Sequence, residues 1–211
     1  VDIPTYNIKV EDIEKAITPK TKAIVPVHLY GQAANMNAIL AIAKKHNLAV
    51  VEDNAQALGS IYHLENGKVE KTGTLGNIGC TSFFPSKNLG CYGDGGALYT
   101  NDDALAEKIR MIANHGQKVK YYHEVVGCNS RLDSIQAAVL RIKLRQLDNY
   151  IDARRNVATY YDTVFGAIPG IKIPFRSADS KHVFHQYTLQ LEGIDRDALS
   201  AHLASKEIPS M

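Results

Sequence analysis

The chain predicts an α/β fold: a mainly parallel central sheet followed by the start of a small α+β domain. Three observations carry this. Two short apolar runs at residues 22–27 and 49–52 flank a helical pattern, which is the order of a βαβ unit. From Asp133 the pattern is helical for some thirty residues. Beyond Pro174 a fresh strand pattern and a capped helix begin.

Taken in order, Lys22-Ala23-Ile24-Val25-Pro26-Val27 reads as a buried strand, with His28-Leu29-Tyr30-Gly31-Gln32 as the loop leaving it. Residues 37–45 place Ile39, Leu40, Ile42 and Ala43 on one helical face. Ala49-Val50-Val51-Glu52 is β-branched and strand-like, and Asp53 closes it. Residues 60–64 and 68–71 flank Asn66-Gly67, a strong hairpin turn. Residues 78–84 return as a strand, and 97–100 form another. Asn101 or Asp102 then caps a helix running to about Ala113.

The long pattern from Asp133 shows two stripes, Ile135, Ala138, Val139, Ile142 and Leu140, Leu144, Leu147, Ile151. It predicts one helix to about Phe165, bridging two packed bodies and broken by Gly166, Pro169 and Gly170. Residues 185–191 predict a strand, and 195–205 a capped helix. The expected division is a large domain over 1–150, and over 151–211 a linking helix with the beginning of a smaller domain. Val1 in place of Met and the ending Ile208-Pro209-Ser210-Met211 suggest an internal segment of a longer polypeptide.

Of the 211 residues, 45% are hydrophobic and 22% charged, which is ordinary for a globular protein. A formal net charge of +2 gives no footprint for nucleic acid or an anionic membrane. No apolar run reaches the ~18 residues of a membrane helix. Three cysteines, with no Cys-x-x-Cys and no signal peptide, fit free thiols in a reducing cytoplasm. No metal-ligand set stands out. His182 and His185 are three apart on a strand-like segment and would face opposite ways.

The chemistry gathers at strand ends, where α/β sheets bind ligands. Asp53 ends one strand. Lys87 sits in the small-residue turn Ser82-Phe83-Phe84-Pro85-Ser86-Lys87-Asn88-Leu89-Gly90 that ends another, and His28 and Tyr30 leave a third. A lysine in such a turn suits a Schiff base with a carbonyl cofactor. An aspartate beside it suits holding that cofactor's ring nitrogen protonated, which makes the ring an electron sink. That is the layout of a pyridoxal phosphate (PLP) enzyme. Taken singly, each residue has a plainer role: a surface lysine, a capping aspartate, a loop Gln56, and a Ser82 bonded to backbone. Gly93-Asp94-Gly95-Gly96-Ala97 lacks the G-x-G-x-x-G register, because position 98 is Leu, and it leads into a strand.

Pro26-Val27-His28-Leu29-Tyr30-Gly31, Glu52-Asp53-Asn54-Ala55-Gln56, the Lys87 turn, the glycine run and Asn129-Ser130-Arg131-Leu132-Asp133 together resemble the DegT/DnrJ-type sugar aminotransferases. These are fold-type I PLP enzymes, and the resemblance spans nearly the whole chain. It implies that Lys87 holds the cofactor and shuttles a proton, while Asp53 pairs with the pyridinium nitrogen. It places Gln56 near the phenolic oxygen and Ser82 on the phosphate. Asn129 would reach the phosphate of a neighbouring protomer's cofactor, and Arg131 would meet a carboxylate. A homodimer with composite sites follows. His28 and Tyr30 are expected to face substrate. The substrates implied are a nucleotide-linked keto sugar, aminated at C3 rather than C4, and an amino donor, glutamate. Two features of the family are missing: the glycine-serine or glycine-threonine turn that cups the phosphate, and most of the C-terminal domain. A catalytically silent or regulatory homologue and a dinucleotide-binding oxidoreductase stay open as alternatives.

Overall fold

The computed structural model describes residues 1–211. A 3-10 turn, Val10–Asp12, runs into α1 (Ile13–Ala16), which buries Ile13. β1 is only Ala23–Ile24, shorter than the expected run. Pro26 has no N–H to give the ladder, although its carbonyl accepts from Asp53 N at 2.9 Å. α2 (Met36–Lys45) is capped by Asn35, whose Oδ1 accepts from Ala38 N, and it buries Met36, Ile39 and Ala43. β2 (Ala49–Asp53) lies parallel to β1.

β3 (Ile61–His63) and β4 (Val69–Lys71) form the hairpin expected around Asn66-Gly67. β5 (Ile78–Ser82) runs parallel to β2, and β6 (Gly96–Tyr99) runs antiparallel to β5. The sheet order is β1-β2-β5-β6, so the fold is α/β with a mostly parallel sheet, as expected. α3 (Asp103–Ala113) starts at Asp102, whose Oδ1 accepts from Ala104 N and Leu105 N. The small ladder of β7 (Gln117–Val119) and β8 (Tyr122–His123) was not foreseen.

The single long helix is in fact two. α4 (Ser134–Lys143) and α5 (Leu147–Phe165) are separated by a 3-10 turn at Leu144–Gln146, where no Gly or Pro announces a break. Only part of the second stripe is packed. Leu140, Leu147 and Ile151 share a buried cluster with Leu89, Cys91 and Val183, whereas Leu144 of that stripe is exposed, as are Ile135 and Ile142 of the first. The expected division at residue 150 falls inside α5, whose first turns join the core beneath the Lys87 turn.

β9 (Ile171–Lys172) pairs antiparallel with β10 (Gln190–Leu191), and α6 (Arg196–Ser205) closes the order behind its cap, Asp195. The strand expected over 185–191 shrinks to its last two residues because the preceding stretch pairs elsewhere. Val183 N donates to Gly31 O at 2.9 Å and Gln186 N to Tyr30 O at 3.3 Å, with Phe184 in the left-handed region at φ +47°. The larger core joins Ile13, Ile24, Met36, Ile39, Val50 and Tyr62. Each such large apolar side chain contributes about 1.5–3 kcal/mol.

Candidate active site at the carboxyl edge of the sheet

Three parallel strands end in one row. Val27 bridges Asp53, and Asp53 is opposite Cys80, so β1, β2 and β5 discharge their chains at a common edge. This brings the segments of His28, Asp53 and Ser82 together despite their separation in sequence. β5 then enters the lysine turn, where Lys87 N donates to Phe84 O and Cys91 N to Phe83 O. Gly90 closes the turn because nothing larger fits: a Cβ there would lie 2.3 Å from Pro85 O. Leu89 and Cys91 anchor it in the cluster under α4 and α5. Two residues not singled out from sequence hold its far side. Gln136 Oε1 accepts from Tyr92 N at 2.8 Å, and Lys143 Nζ donates to Gly90 O at 2.5 Å. Their spacing on α4 carried no signal beyond an ordinary polar helix face.

The bonds made at this edge define the atoms left over. Asp53 Oδ1 accepts from Ala55 N at 3.0 Å, which leaves Oδ2. Gln56 Oε1 accepts from Tyr30 N at 2.6 Å, which leaves the amide NH₂. Ser82 Oγ accepts from Phe84 N at 3.2 Å, which leaves the hydroxyl proton. Lys87 is half-buried. Asn88 beside it is 8% exposed, and neither of its amide atoms meets a partner. A carboxylate oxygen, an amide donor, a hydroxyl donor and an amine are what a pyridinium nitrogen, a phenolic oxygen, a phosphate and an aldehyde require. The residues present fit that group.

His28 departs from expectation. Its Nδ1 accepts from Ala34 N at 3.1 Å, so Nε2 carries the proton and donates to Glu52 Oε2 at 2.9 Å. Both side chains are 0% exposed, so His28 has no atom to offer a substrate. The ring faces inward because the Glu52 carboxylate is there to be paired. Glu52 also accepts from Gly73 N, Leu75 N and Gly76 N. Burial pushes its carboxyl up, but the His28 ring and the Gly76 and Gly73 amides outweigh that and hold it below the ordinary range. Tyr30 stays at the edge, half-buried at φ +57°, with its ring edge-on to Tyr6 at 5.4 Å. It lines a groove that runs past Gln186 and Tyr187 to α6.

Asn129 and Arg131 are exposed, and Arg131 Nε donates to Asn129 Oδ1 at 3.0 Å. Their stretch is tied to the end of α3 through Cys128 N to Ile112 O and Ser130 N to Ala113 O. No hydrogen bond within the chain joins either residue to Asp53, Ser82 or Lys87. His185 is the residue the sequence undervalued. His182 is buried and stacked on Phe184, and burial first, then the Lys87 and Arg154 charges, bring the His185 imidazole down to about 4. No group of three or more His, Cys, Asp or Glu side chains could hold a metal, and no helix is long and apolar enough to cross a membrane.

Residues 1–211 match the DegT/DnrJ/EryC1/StrS aminotransferase family. The chain belongs to that family. It is 51% identical over 213 residues to a pleiotropic regulatory protein of Geobacillus stearothermophilus, covering all of this chain and 55% of that one. It is 47% identical over 210 residues to the UDP-2-acetamido-2-deoxy-3-oxo-D-glucuronate aminotransferase of Pseudomonas aeruginosa, covering all of this chain and 56% of that one. Among solved structures, the DesV protein of S. venezuelae, in complex with a ketimine intermediate, superposes with a TM-score of 0.91 at 44% identity. That match covers 99% of this chain and 54% of the DesV chain. The chain thus spans about half the length of the curated relatives it matches.

Proposed function

We propose that the protein to which this chain belongs is a PLP-dependent aminotransferase. It moves an amino group from glutamate to the C3 keto group of a nucleotide-diphosphate sugar. One observation carries the reading: the Val27–Asp53–Cys80 row sets Asp53 and the Lys87 turn on one edge, with complementary polar atoms unspent. The Pseudomonas relative, named for a 3-oxo UDP sugar, supports C3.

When bound, the pyridoxal ring supplies a sink for the electron pair released at the carbon that loses or gains the amine. Asp53 Oδ2 would hold the proton on the ring nitrogen. The Ser82 hydroxyl would donate to a phosphate oxygen, and the Gln56 amide would face the phenolic oxygen. Lys87 Nζ would hold the aldehyde carbon and, once released, move the proton at the reacting carbon. Asn129 would reach the phosphate from a second copy of the chain, and Arg131 would clamp a carboxylate in bidentate fashion. Tyr30, its backbone held by Gln56, would form one wall for the incoming sugar.

A visible absorption band on adding PLP to the full-length protein, lost in Lys87→Ala, is the expected result. Its absence from the unaltered protein would end the enzyme reading. A regulator without turnover is the second reading, favoured by the name of the Geobacillus relative. A band without amine transfer to any of a panel of nucleotide keto sugars would decide for it. The oxidoreductase alternative loses its footing in the fold, since Gly95 and Gly96 lead into strand β6 and offer no helix N-terminus to a pyrophosphate.

A further inference from the structure

Resting on the aminotransferase reading, we propose that Gln136 and Lys143 are positioning residues for Lys87. They act on the amine through its turn, from the side away from the sheet edge. Hydrogen bonding otherwise leaves that turn to itself. Phe84 N donates to Ser82 Oγ, Lys87 N to Phe84 O, and Cys91 N to Phe83 O. Cys91 Sγ lies 3.0 Å from both Phe83 O and Gly93 O. All of these bonds stay within residues 82–95. Only two hydrogen bonds tie residues 84–94 to another element, and both come from α4. Gln136 Oε1 accepts from Tyr92 N at 2.8 Å, and Lys143 Nζ donates to Gly90 O at 2.5 Å.

The helix sets the spacing of this grip. Gln136, Leu140 and Lys143 stand at i, i+4 and i+7 of α4, on one face, with about 10 Å of helix axis from first to last. Leu140, between the two polar residues, is buried in one cluster with Leu89 and Cys91. The chain from Leu89 to Tyr92 thus runs antiparallel to α4, with a polar contact at each end and an apolar cluster between. Apolar burial has no direction and lets a segment tilt, whereas a hydrogen bond at each end fixes its line. The Lys143 bond has a charged donor, which makes it roughly twice as strong as a neutral one. The same ammonium lies 5.8 Å from the centre of the Tyr92 ring. Gln136 is confined in turn, since its Nε2 is 3.1 Å from where a Cβ on Gly93 would stand.

Lys87 stands three residues before Gly90, and the close approach of Gly90 to Pro85 O couples the two arms of the turn. A tilt of the gripped arm therefore carries the amine with it. Bonding to a carbon and moving a proton at that carbon both depend on where the amine points, and a misplacement of about 1 Å costs on the order of 100-fold in rate. Losing either grip should thus be felt in the chemical step more than in binding.

The test is single-turnover kinetics of the full-length protein loaded with PLP, following the visible band after mixing with glutamate, with rates taken per bound cofactor. Lys143→Met and Gln136→Met remove the two bonds, while Lys143→Arg and Gln136→Glu keep the donor and the acceptor. Ile39→Val, in the larger core, controls for lost stability alone. The limiting rate should fall roughly 10- to 100-fold in each methionine variant. The half-saturating glutamate concentration should stay within about twofold. The arginine and glutamate variants should regain most of the rate, and Ile39→Val should melt earlier yet react at the unaltered rate. A Lys143→Met protein that reacts at full rate overturns the proposal. So does a rate loss that Ile39→Val shares, or one that neither conservative variant recovers. Should Lys143→Met fail to fold, the Gln136 pair decides by the same criteria. A missing band in the unaltered protein removes the enzyme reading and this one together. A normal band with undiminished rates in the methionine variants removes this one alone.

Discussion

The carboxyl edge of β1, β2 and β5 and the stretch over residues 118–135 carry equally clear sequence motifs, yet they are finished to different degrees. At the edge, Glu52 is 0% exposed and takes four hydrogen bonds, and His28 spends both ring nitrogens. Over 118–135 every residue is exposed, and Val126 (97%), Tyr121, Tyr122 and Ile135 lay apolar surface open. Patches of that kind mark surfaces meant to meet something else. The edge is determined inside this chain. The stretch with Asn129 and Arg131 is fastened to the end of α3 by its backbone, but its side chains are left open.

The sharpest way to break the comparison is Glu52→Ala. It strands three backbone N–H groups and the His28 N–H inside the sheet edge. Removing one partner of a buried pair costs about 3–5 kcal/mol. Urea unfolding of the full-length protein should show a loss of that size, and a loss under 1 kcal/mol would mean the edge is less finished than it looks. The same group sets a pH dependence. Its folded-state carboxyl is held below the ordinary range, so the unfolded chain binds the proton more readily. The stabilisation is therefore fully present above the unfolded value and drains away as pH falls through the lower folded one. Glu52→Gln should flatten that acid limb, which an unfolding series from pH 6 to pH 3 would read.

How much of this was legible follows from the same contrast. The βαβ order, the hairpin at Asn66-Gly67 and the caps at Asp102 and Asp195 depend on local chemistry, and they stand as expected. The row Val27–Asp53–Cys80 follows from strand order, which periodicity can suggest. His28 was misplaced because its neighbour Glu52 could be read as a flanking acid; only the fold shows that this carboxylate is sealed and in need of the ring. His185 was passed over because a strand pattern puts alternate residues on opposite faces. That pattern is undone by Phe184 at φ +47° and by bonds to a loop some 150 residues earlier. Long-range pairing of that kind leaves no periodic trace.

A smaller effect sharpens the comparison from the lysine side. Gly90→Ala puts a methyl group against Pro85 O, so the turn must open by moving backbone. The expected cost is about 1–3 kcal/mol. The consequence for function is larger than the stability figure, because Lys87 lies in the displaced stretch. PLP titration of the variant should show a weakened visible band in a protein that still melts cooperatively. An unchanged band would detach the turn's geometry from the lysine's role.

The smallest effect on stability belongs to the open stretch, and there the whole effect should be on turnover. Asn129→Ala and Arg131→Ala remove exposed side chains bonded mainly to each other, so each should shift stability by no more than about 0.5 kcal/mol. If Asn129 serves the site of a second copy, Lys87→Ala and Asn129→Ala proteins are each inactive for different reasons. In a heterodimer of the two, one site carries both defects and the other carries neither. Random reassortment of an equal mixture makes half the dimers mixed, each with one sound site, so roughly a quarter of full activity should return. Were Asn129 to act within its own chain, each site in the mixed dimer would keep one defect, and mixing would restore nothing. The readout is activity before and after subunit exchange, and Arg131→Ala mixed with Lys87→Ala asks the same of the arginine.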